Sequence, residues 1–226
     1  PFGASPRIEK QSSGLDMVQS KFLNDLTSKY NKKTIKSKNY AQDNRAKMAD
    51  PRVVSGFKPL TKELVYPIVI GKSQGNRLWD LDGNEYIDYV AGLLPIVLGY
   101  CDPDIDSKII TQLNKGITFS LASELEYQLA DKLVNLIPSA EMVRFGKNGS
   151  DVTSAAIRIA RAYTGREMVA VAGYHGWHDW YIGSTTRDIG VPNAVKSLTT
   201  KFSYTDLDGL KKQLNTNLYA AIILEP

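Results

Sequence analysis

Polar and apolar positions follow two different periods along this chain. Over residues 75–90 they alternate almost one by one, and Asp82-Gly83, a pair suited to the positive φ angles of a tight turn, interrupts the alternation. Further along, segments with apolar residues three and four positions apart are separated by short apolar runs. The first pattern predicts a half-exposed antiparallel meander. The second predicts helices that alternate with the strands of a mostly parallel sheet.

Capping residues mark where two of these helices begin. Ser123 and Glu126 have the spacing of a capping box, so a helix is expected to start there. Thr205 or Asp206 is expected to cap another helix near the end of the chain. Short apolar runs predict strands at residues 142–145, 168–172 and 219–224.

The turn after the first of these strands has the character of an anion site. Asn148-Gly149-Ser150 is a small polar turn that opens directly into a segment with helical spacing over residues 151–163. The free N–H groups of a first helical turn lie at the positive end of the helix dipole. Gly149 leaves room for a ligand, and Asn148 and Ser150 add side-chain donors. Ordinary capped turns share this pattern, so neighbouring segments have to supply further evidence before phosphate binding is predicted.

The second strand runs into residues 173–179, GYHGWHD, which combine aromatic and titratable side chains. Ligands of open α/β sheets bind at the carboxyl ends of strands, so a phosphate anchor and an aromatic surface are expected at one edge. His175, His178 and Asp179 offer too few ligands for a metal, and none is predicted. His175 could polarise a cofactor oxygen, but a hydrogen bond that supports the loop is the favoured interpretation.

Composition and charge exclude several classes of function. The chain has 226 residues, 42% of them hydrophobic, and no run long enough to span a bilayer or to serve as a signal peptide. A cytoplasmic protein without a membrane partner is therefore expected. Residues 1–52 carry 11 Lys and Arg against 5 Asp and Glu, and the remainder carries 17 against 19. Because this basic segment lacks interleaved aromatic residues, a solvated linker containing at most one short helix is favoured over a nucleic-acid-binding arm.

Five motifs in order connect the chain to a known family. They are WDLDGNEYID at 79–88, EMVRF at 141–145, NGSD at 148–151, RAYTGRE at 161–167 and YHG at 174–176. From about residue 71 onward the sequence resembles the class III pyridoxal-phosphate-dependent aminotransferases, which include glutamate-1-semialdehyde aminomutase. The resemblance implies a fold-type I α/β architecture, a mostly parallel sheet flanked by helices with a small N-terminal α+β part. Composition indicates a basic, largely flexible leader at 1–50, and the resemblance implies the start of a small domain at 51–105 and the start of a large cofactor-binding domain at 106–226.

The resemblance also assigns roles to individual residues. It implies pyridoxal 5′-phosphate as cofactor, with its phosphate at Asn148, Gly149 and Ser150 and its ring against Tyr174. Glu225 matches a strand-end glutamate near cofactor and substrate, so Glu225 and His175 are the candidate catalytic residues of this chain. The family's Schiff-base lysine, and the aspartate that pairs with the pyridine nitrogen, both follow the position where residue 226 falls. The chain is therefore expected to be a piece of a longer enzyme, truncated before the lysine and inactive alone.

The implied reaction moves an amino group from a small-molecule donor to a keto or aldehyde acceptor, in a homodimer. Glutamate-1-semialdehyde 2,1-aminomutase is the alternative. Two departures from the aminomutase pattern disfavour it: Ser55 replaces a carboxylate-binding arginine, and residues 91–95 read AGLLP in place of Gly-Ser-Trp-Gly-Pro. A mononucleotide-binding domain lacks support because neither a P-loop nor a G-x-G-x-x-G motif is present. A non-catalytic module that keeps the fold stays open.

Overall fold

The structure, a computed structural model, describes residues 14–49, 58–216 and 218–225. The described residues form two compact units, one ending at Leu121 and the other beginning at Ala122. Within the described residues no helix is both long enough and apolar enough to cross a membrane. The predicted division of the whole chain at residues 50 and 105 stays a prediction.

The first unit opens with two consecutive helices. Helix α1 (Met17–Lys33) is followed by α2 (Ile35–Asn44). Asp16 caps α1 through a capping box, in which its carboxylate accepts the Gln19 N–H at 2.8 Å and the Gln19 side chain accepts the Asp16 N–H at 3.2 Å. The sequence predicted at most one short helix in this segment, and the structure has two, the first of them 17 residues long.

A three-stranded antiparallel meander follows, in the order β1 (Ile70–Gln74), β2 (Arg77–Asp80), β3 (Glu85–Ile87). The predicted turn joins β2 to β3, and its Gly83 has a φ of 85°, the left-handed geometry for which glycine is suited. The alternating pattern is thereby confirmed as a meander. The remaining elements described in the first unit are a 3-10 helix (Pro59–Leu64) and α3 (Pro103–Leu113).

Polar contacts join the two helices to the segment around the meander. The hydroxyl of Thr34 lies 2.8 Å from that of Tyr66, and the hydroxyl of Ser37 accepts the Val69 N–H at 3.0 Å. Thr34 and Ser37 are fully buried. Buried polar groups need such partners, so these bonds explain why a lysine-rich segment is ordered here.

Asp80 organises the turn between β2 and β3. Its carboxylate, 5% exposed, accepts the N–H groups of Asp82 at 3.0 Å and Asn84 at 2.8 Å, the Asn84 amide at 2.8 Å and the Tyr86 hydroxyl at 2.7 Å. Burial favours the neutral acid, but the four hydrogen bonds outweigh it and hold the pKa of Asp80 below its ordinary value. The charged carboxylate is therefore the stable form in the folded unit.

Replacing Asp80 with asparagine is expected to lower the free energy of unfolding by about 1–3 kcal/mol at neutral pH. Because the folded-state pKa is depressed, the stabilisation from the carboxylate is present above the unfolded value of about 3.9 and is lost as the pH falls through the folded-state pKa. Denaturant unfolding of both proteins between about pH 3 and pH 7 measures this. The control is Asp43→Asn, at an exposed position of α2. A wild-type advantage over Asp80→Asn that did not shrink with acidification would contradict the argument.

The second unit is built on a parallel sheet in the order β5 (Thr199–Lys201), β4 (Met168–Ala172), β6 (Tyr219–Leu224). Its central strand has four of five residues buried, which fits the continuous apolar run of residues 168–172. The predicted alternation of helices and parallel strands is confirmed. The elements are α4 (Glu124–Leu136), α5 (Gly149–Thr164), β4 (Met168–Ala172), α6 (Asp179–Ile182), α7 (Asn193–Lys196), β5 (Thr199–Lys201), α8 (Leu207–Leu214) and β6 (Tyr219–Leu224).

The core of this unit joins α5 and α6 to the central strand. Ile157 of α5 and Trp180 and Tyr181 of α6 are buried with Val169 and Val171 of β4. Both predicted caps are confirmed, at Ser123 for α4 and at Asp206 rather than Thr205 for α8. The carboxyl ends of β4 and β6 are thus held beside the start of α5.

Residues 142–145 form no strand, which corrects the prediction for this apolar run. A strand needs a neighbour for its N–H and C=O groups. Within the described residues the sheet contains only β5, β4 and β6, and none of them pairs with this segment. Met142, 91% exposed, has no apolar surface to cover it.

Candidate functional site

A groove of about 380 Å³ lies at the carboxyl edge of the sheet in the second unit. It is lined by residues 148–150, Thr153 and residues 174–177. Its volume falls in the range of small-ligand sites. Five of the six site residues expected from the sequence line this groove, and the sixth, Glu225, contacts the backbone of Tyr174.

The start of α5 presents unpaired donors to the groove. Asn148 is the N-cap, and its side-chain oxygen accepts the Asp151 N–H at 3.0 Å, which leaves its amide NH₂ for a ligand. The N–H groups of Gly149 and Ser150 form no hydrogen bond within the described residues. A Cβ added at Gly149 would meet nothing within 4 Å. The helix terminus therefore keeps both the donors and the space that an anion needs.

Two glycines shape the loop that carries Tyr174. Gly173 has a φ of 86° and Gly176 a φ of 105°, a range that favours glycine. At Gly176 a Cβ would lie 2.4 Å from the Ser150 hydroxyl oxygen, so the loop passes against the start of α5. The Tyr174 ring is left 57% exposed beside the groove. An exposed aromatic ring next to open donors suits a flat, phosphorylated ligand.

His175 supports the loop from inside. Its side chain is 7% exposed, and Nε2 donates to the Ala172 carbonyl oxygen at 2.8 Å because a carbonyl can only accept. Its ring also packs edge-on against Tyr181, with centroids 5.3 Å apart. These contacts support the favoured interpretation of His175 as a loop support.

Glu225 holds the same loop from the neighbouring strand. Its carboxylate accepts the Tyr174 N–H at 3.1 Å, and its own N–H donates to the Ala172 carbonyl at 3.1 Å. The hydroxyl of Tyr204 donates to the Glu225 carbonyl oxygen. Burial, with the nearby Tyr174 and Glu225, raises the pKa of Tyr181, whose hydroxyl donates to the Gly173 carbonyl at 2.7 Å. The side chains of Glu225, Tyr181 and His175 therefore each bond to the backbone of residues 172–174.

Contacts between α5 and this loop were not predicted from the sequence. The Thr153 hydroxyl donates to the His175 carbonyl at 3.0 Å, and the Ser154 hydroxyl lies 2.7 Å from His178 Nδ1. Positions 150, 153, 154 and 157 share one helix face, and three of them are hydroxyl residues. This cluster of hydroxyl residues is the sequence feature from which the contacts could have been predicted. His178 is thus engaged with a serine, and the residues that the structure describes contain no cluster able to hold a metal.

The structure describes only one of the two departures from the aminomutase pattern. Ser55 lies outside the described residues. In the first unit, Leu93 and Leu94 are 83% and 75% exposed and have φ angles of 64° and 80°. The AGLLP segment therefore presents apolar side chains on a loop whose backbone is strained at non-glycine residues.

The family model of the class III aminotransferases matches residues 60–226. The chain belongs to the class III aminotransferases. A 3-aminobutyryl-CoA aminotransferase of Cloacimonas acidaminovorans is 44% identical over 164 residues, which cover 71% of this chain and 39% of that protein. A glutamate-1-semialdehyde 2,1-aminomutase of Sulfurisphaera tokodaii is 38% identical over 172 residues, 71% of this chain and 41% of that protein. The chain thus spans less than half the length of these relatives.

A solved structure described as a transaminase with PLP bound matches this class III chain with a TM-score of 0.76. The two are 25% identical, and the match covers 85% of this chain and 47% of that one. The predicted fold-type I architecture is confirmed, and pyridoxal 5′-phosphate is the cofactor of this class III chain.

The groove of this class III chain fits that cofactor. The free N–H groups of Gly149 and Ser150, the open space at Gly149 and the exposed face of Tyr174 correspond to a phosphate and a flat ring. Asn148, Gly149 and Ser150 would hold the phosphate, and Tyr174 would cover the ring.

Proposed function

We propose that this chain provides the cofactor-holding part of an aminotransferase that moves an amino group from a small amino donor to a keto or aldehyde acceptor. The observation that carries the proposal is the groove in which unpaired N–H groups of α5 and the exposed ring of Tyr174 meet. Family membership supports the type of reaction. Bound pyridoxal phosphate supplies an electron sink that weakens bonds next to the substrate nitrogen.

The residues of this chain contribute binding and orientation. The start of α5 holds a dianionic phosphate through backbone N–H groups and the helix dipole. No buried cationic side chain is required for this. Tyr174 fixes the plane of the ring, and His175 and Glu225 hold the loop on which Tyr174 stands. A fixed ring plane matters because the scissile bond of the substrate has to align with the conjugated system.

Turnover is assigned to the complete protein. Residues 148–150, 153 and 174–177 line the groove, and no lysine is among them. The family's Schiff-base lysine, and the aspartate that pairs with the pyridine nitrogen, were expected after position 226. Under this proposal the chain alone binds the cofactor without catalysing transfer, and the active protein is a homodimer.

Aminotransferase activity is preferred over the aminomutase alternative. Relatives of both kinds match this chain at similar identity, 44% for the aminotransferase and 38% for the aminomutase. Leu93 and Leu94 stand where the aminomutase pattern has Trp-Gly, and this difference in sequence favours a donor with an apolar portion.

Cofactor content and amino transfer test the proposal together. The purified complete protein is expected to contain pyridoxal phosphate, measured by absorbance after release in alkali, and to transfer amino groups from donors with apolar chains to 2-oxo acids. The chain of residues 1–226 is the matched sample and is expected to give no transfer. Absence of both cofactor and transfer in the complete protein would refute the proposal. A 2,1-amino shift on glutamate-1-semialdehyde would establish the alternative instead.

A further inference from the structure

The loop that carries Tyr174 is attached to α5 at three successive points. Ser150 accepts the Trp177 N–H at 3.3 Å, Thr153 donates to the His175 carbonyl at 3.0 Å, and Ser154 lies 2.7 Å from His178 Nδ1. The helix that presents the phosphate donors is thus the helix that holds the ring-bearing loop. The last attachment is the one furthest from the groove, because Ser154 is not among its lining residues.

Trp180 fixes the direction of one of the two hydrogen bonds at Ser154. Trp180 Nε1, which can only donate, lies 3.0 Å from the Ser154 hydroxyl oxygen. The Ser154 oxygen keeps a second lone pair and one proton, and the tautomer of the His178 ring decides which of them forms the 2.7 Å bond to Nδ1. The Ser154 hydroxyl therefore bridges Trp180 of the core and His178 of the loop.

The position of this chain of bonds fits a positioning role. Trp180 is 8% exposed and belongs to the core of the unit, so it anchors Ser154 to a rigid part of the fold. His178 ends the loop that Gly173 and Gly176 make conformationally permissive. A loop with two such glycines needs external contacts to keep one conformation.

We propose that Ser154, through His178, is a positioning residue that sets the distance between the phosphate donors of α5 and the ring surface of Tyr174. The inference rests on the proposed cofactor site. The pair touches neither phosphate nor ring, so its loss changes the placement of Tyr174 and leaves the donors of Gly149 and Ser150 intact. A ligand that needs both surfaces then loses affinity, whereas a ligand that needs only the helix terminus does not.

The test compares two ligands on Ser154→Ala in the complete protein. Calorimetric titration is expected to show pyridoxal phosphate binding weakened about tenfold, with inorganic phosphate affinity changed less than about twofold. Ser154→Thr, which keeps the hydroxyl, is expected to restore most of the affinity. Ser197→Ala is the matched control, since that hydroxyl bonds only its own helix at Ala194. His178→Ala should weaken binding as Ser154→Ala does, and the double variant no further, because both act through one contact.

Hydrogen exchange without any ligand supplies a second, independent readout. The amides of Tyr174 and Trp177 are expected to exchange about tenfold faster in Ser154→Ala than in wild type, with the amides of β4 unchanged. Equal loss of both ligands, or unchanged loop exchange with unchanged cofactor affinity, would overturn the inference and leave Ser154 a general stability residue. A wild-type protein that binds phosphate but no pyridoxal phosphate would instead refute the proposed function. In that case, hydrogen exchange of the loop amides would still test whether Ser154 holds the loop.

Discussion

Gly176→Ala is expected to lower the free energy of unfolding by about 2–4 kcal/mol and to abolish measurable cofactor binding. Two independent causes act at this position. The φ of 105° is outside the region in which alanine is comfortable. The new Cβ would also lie 2.4 Å from the Ser150 hydroxyl oxygen and 3.0 Å from its Cβ, at the residue whose N–H faces the groove.

Relief of this clash has to damage the site. Ser150 is 8% exposed and stands in the first turn of α5, so moving it disturbs the helix terminus. Moving the loop instead breaks the bond from the Trp177 N–H to Ser150 and displaces Tyr174. Either route separates the phosphate donors from the ring surface. Thermal unfolding and titration with pyridoxal phosphate measure the two effects.

Gly149→Ala is the control that separates stability from binding. A Cβ there meets nothing within 4 Å, and the residue lies in the first turn of a helix, where alanine is at least as favourable as glycine. The unfolding midpoint is therefore expected to stay the same or to rise slightly. Affinity for inorganic phosphate is expected to fall, because the methyl group occupies the space in front of the free N–H groups. An unchanged midpoint in Gly176→Ala would contradict the steric argument.

Tyr174→Ala carries the second large effect. Cofactor affinity is expected to fall at least tenfold, because the ring supplies the flat surface of the groove and a stacked aromatic pair contributes about 0.5–1.5 kcal/mol beyond its buried area. Stability is expected to change little, since the side chain is 57% exposed. Titration with pyridoxal phosphate and with inorganic phosphate distinguishes ring from phosphate contacts, and only the first should weaken.

Two further variants complete this measurement. Tyr174→Phe keeps the aromatic face and is expected to bind the cofactor nearly as well as wild type. Tyr163→Ala, at a 91% exposed tyrosine on α5 of the same unit, should leave binding unchanged. If Tyr174→Ala bound pyridoxal phosphate with wild-type affinity, Tyr174 would have no role in holding the ring.

Local signals in the sequence were sufficient for the elements that build the groove. The helix that follows Asn148 and the apolar strand at 168–172 were both expected from short-range patterns. The motifs of residues 148–151 and 174–176 indicated the family, and the match to residues 60–226 confirmed it. Their common feature is that each depends on neighbours within a few positions of the chain.

Other features depended on contacts between distant residues. The run at 142–145 has the composition of a strand but no neighbour in the described chain to pair with. The composition of the lysine-rich segment around Ser37 predicts a solvated linker, yet the Ser37 hydroxyl bonds to the Val69 N–H and the Lys36 N–H bonds to Asp82. Composition alone does not show which polar groups will find partners across the fold.

By itself the sequence determined the family, the cofactor, and the residues expected around its phosphate and ring. Only the tertiary structure decided which distant residues hold them in place: Glu225 on the Tyr174 N–H, and Ser154 between Trp180 and His178. The reason is physical. A helix cap or a glycine turn is chosen by local conformational preference, whereas a hydrogen bond between residues 51 positions apart exists only after parallel strands have aligned their ends.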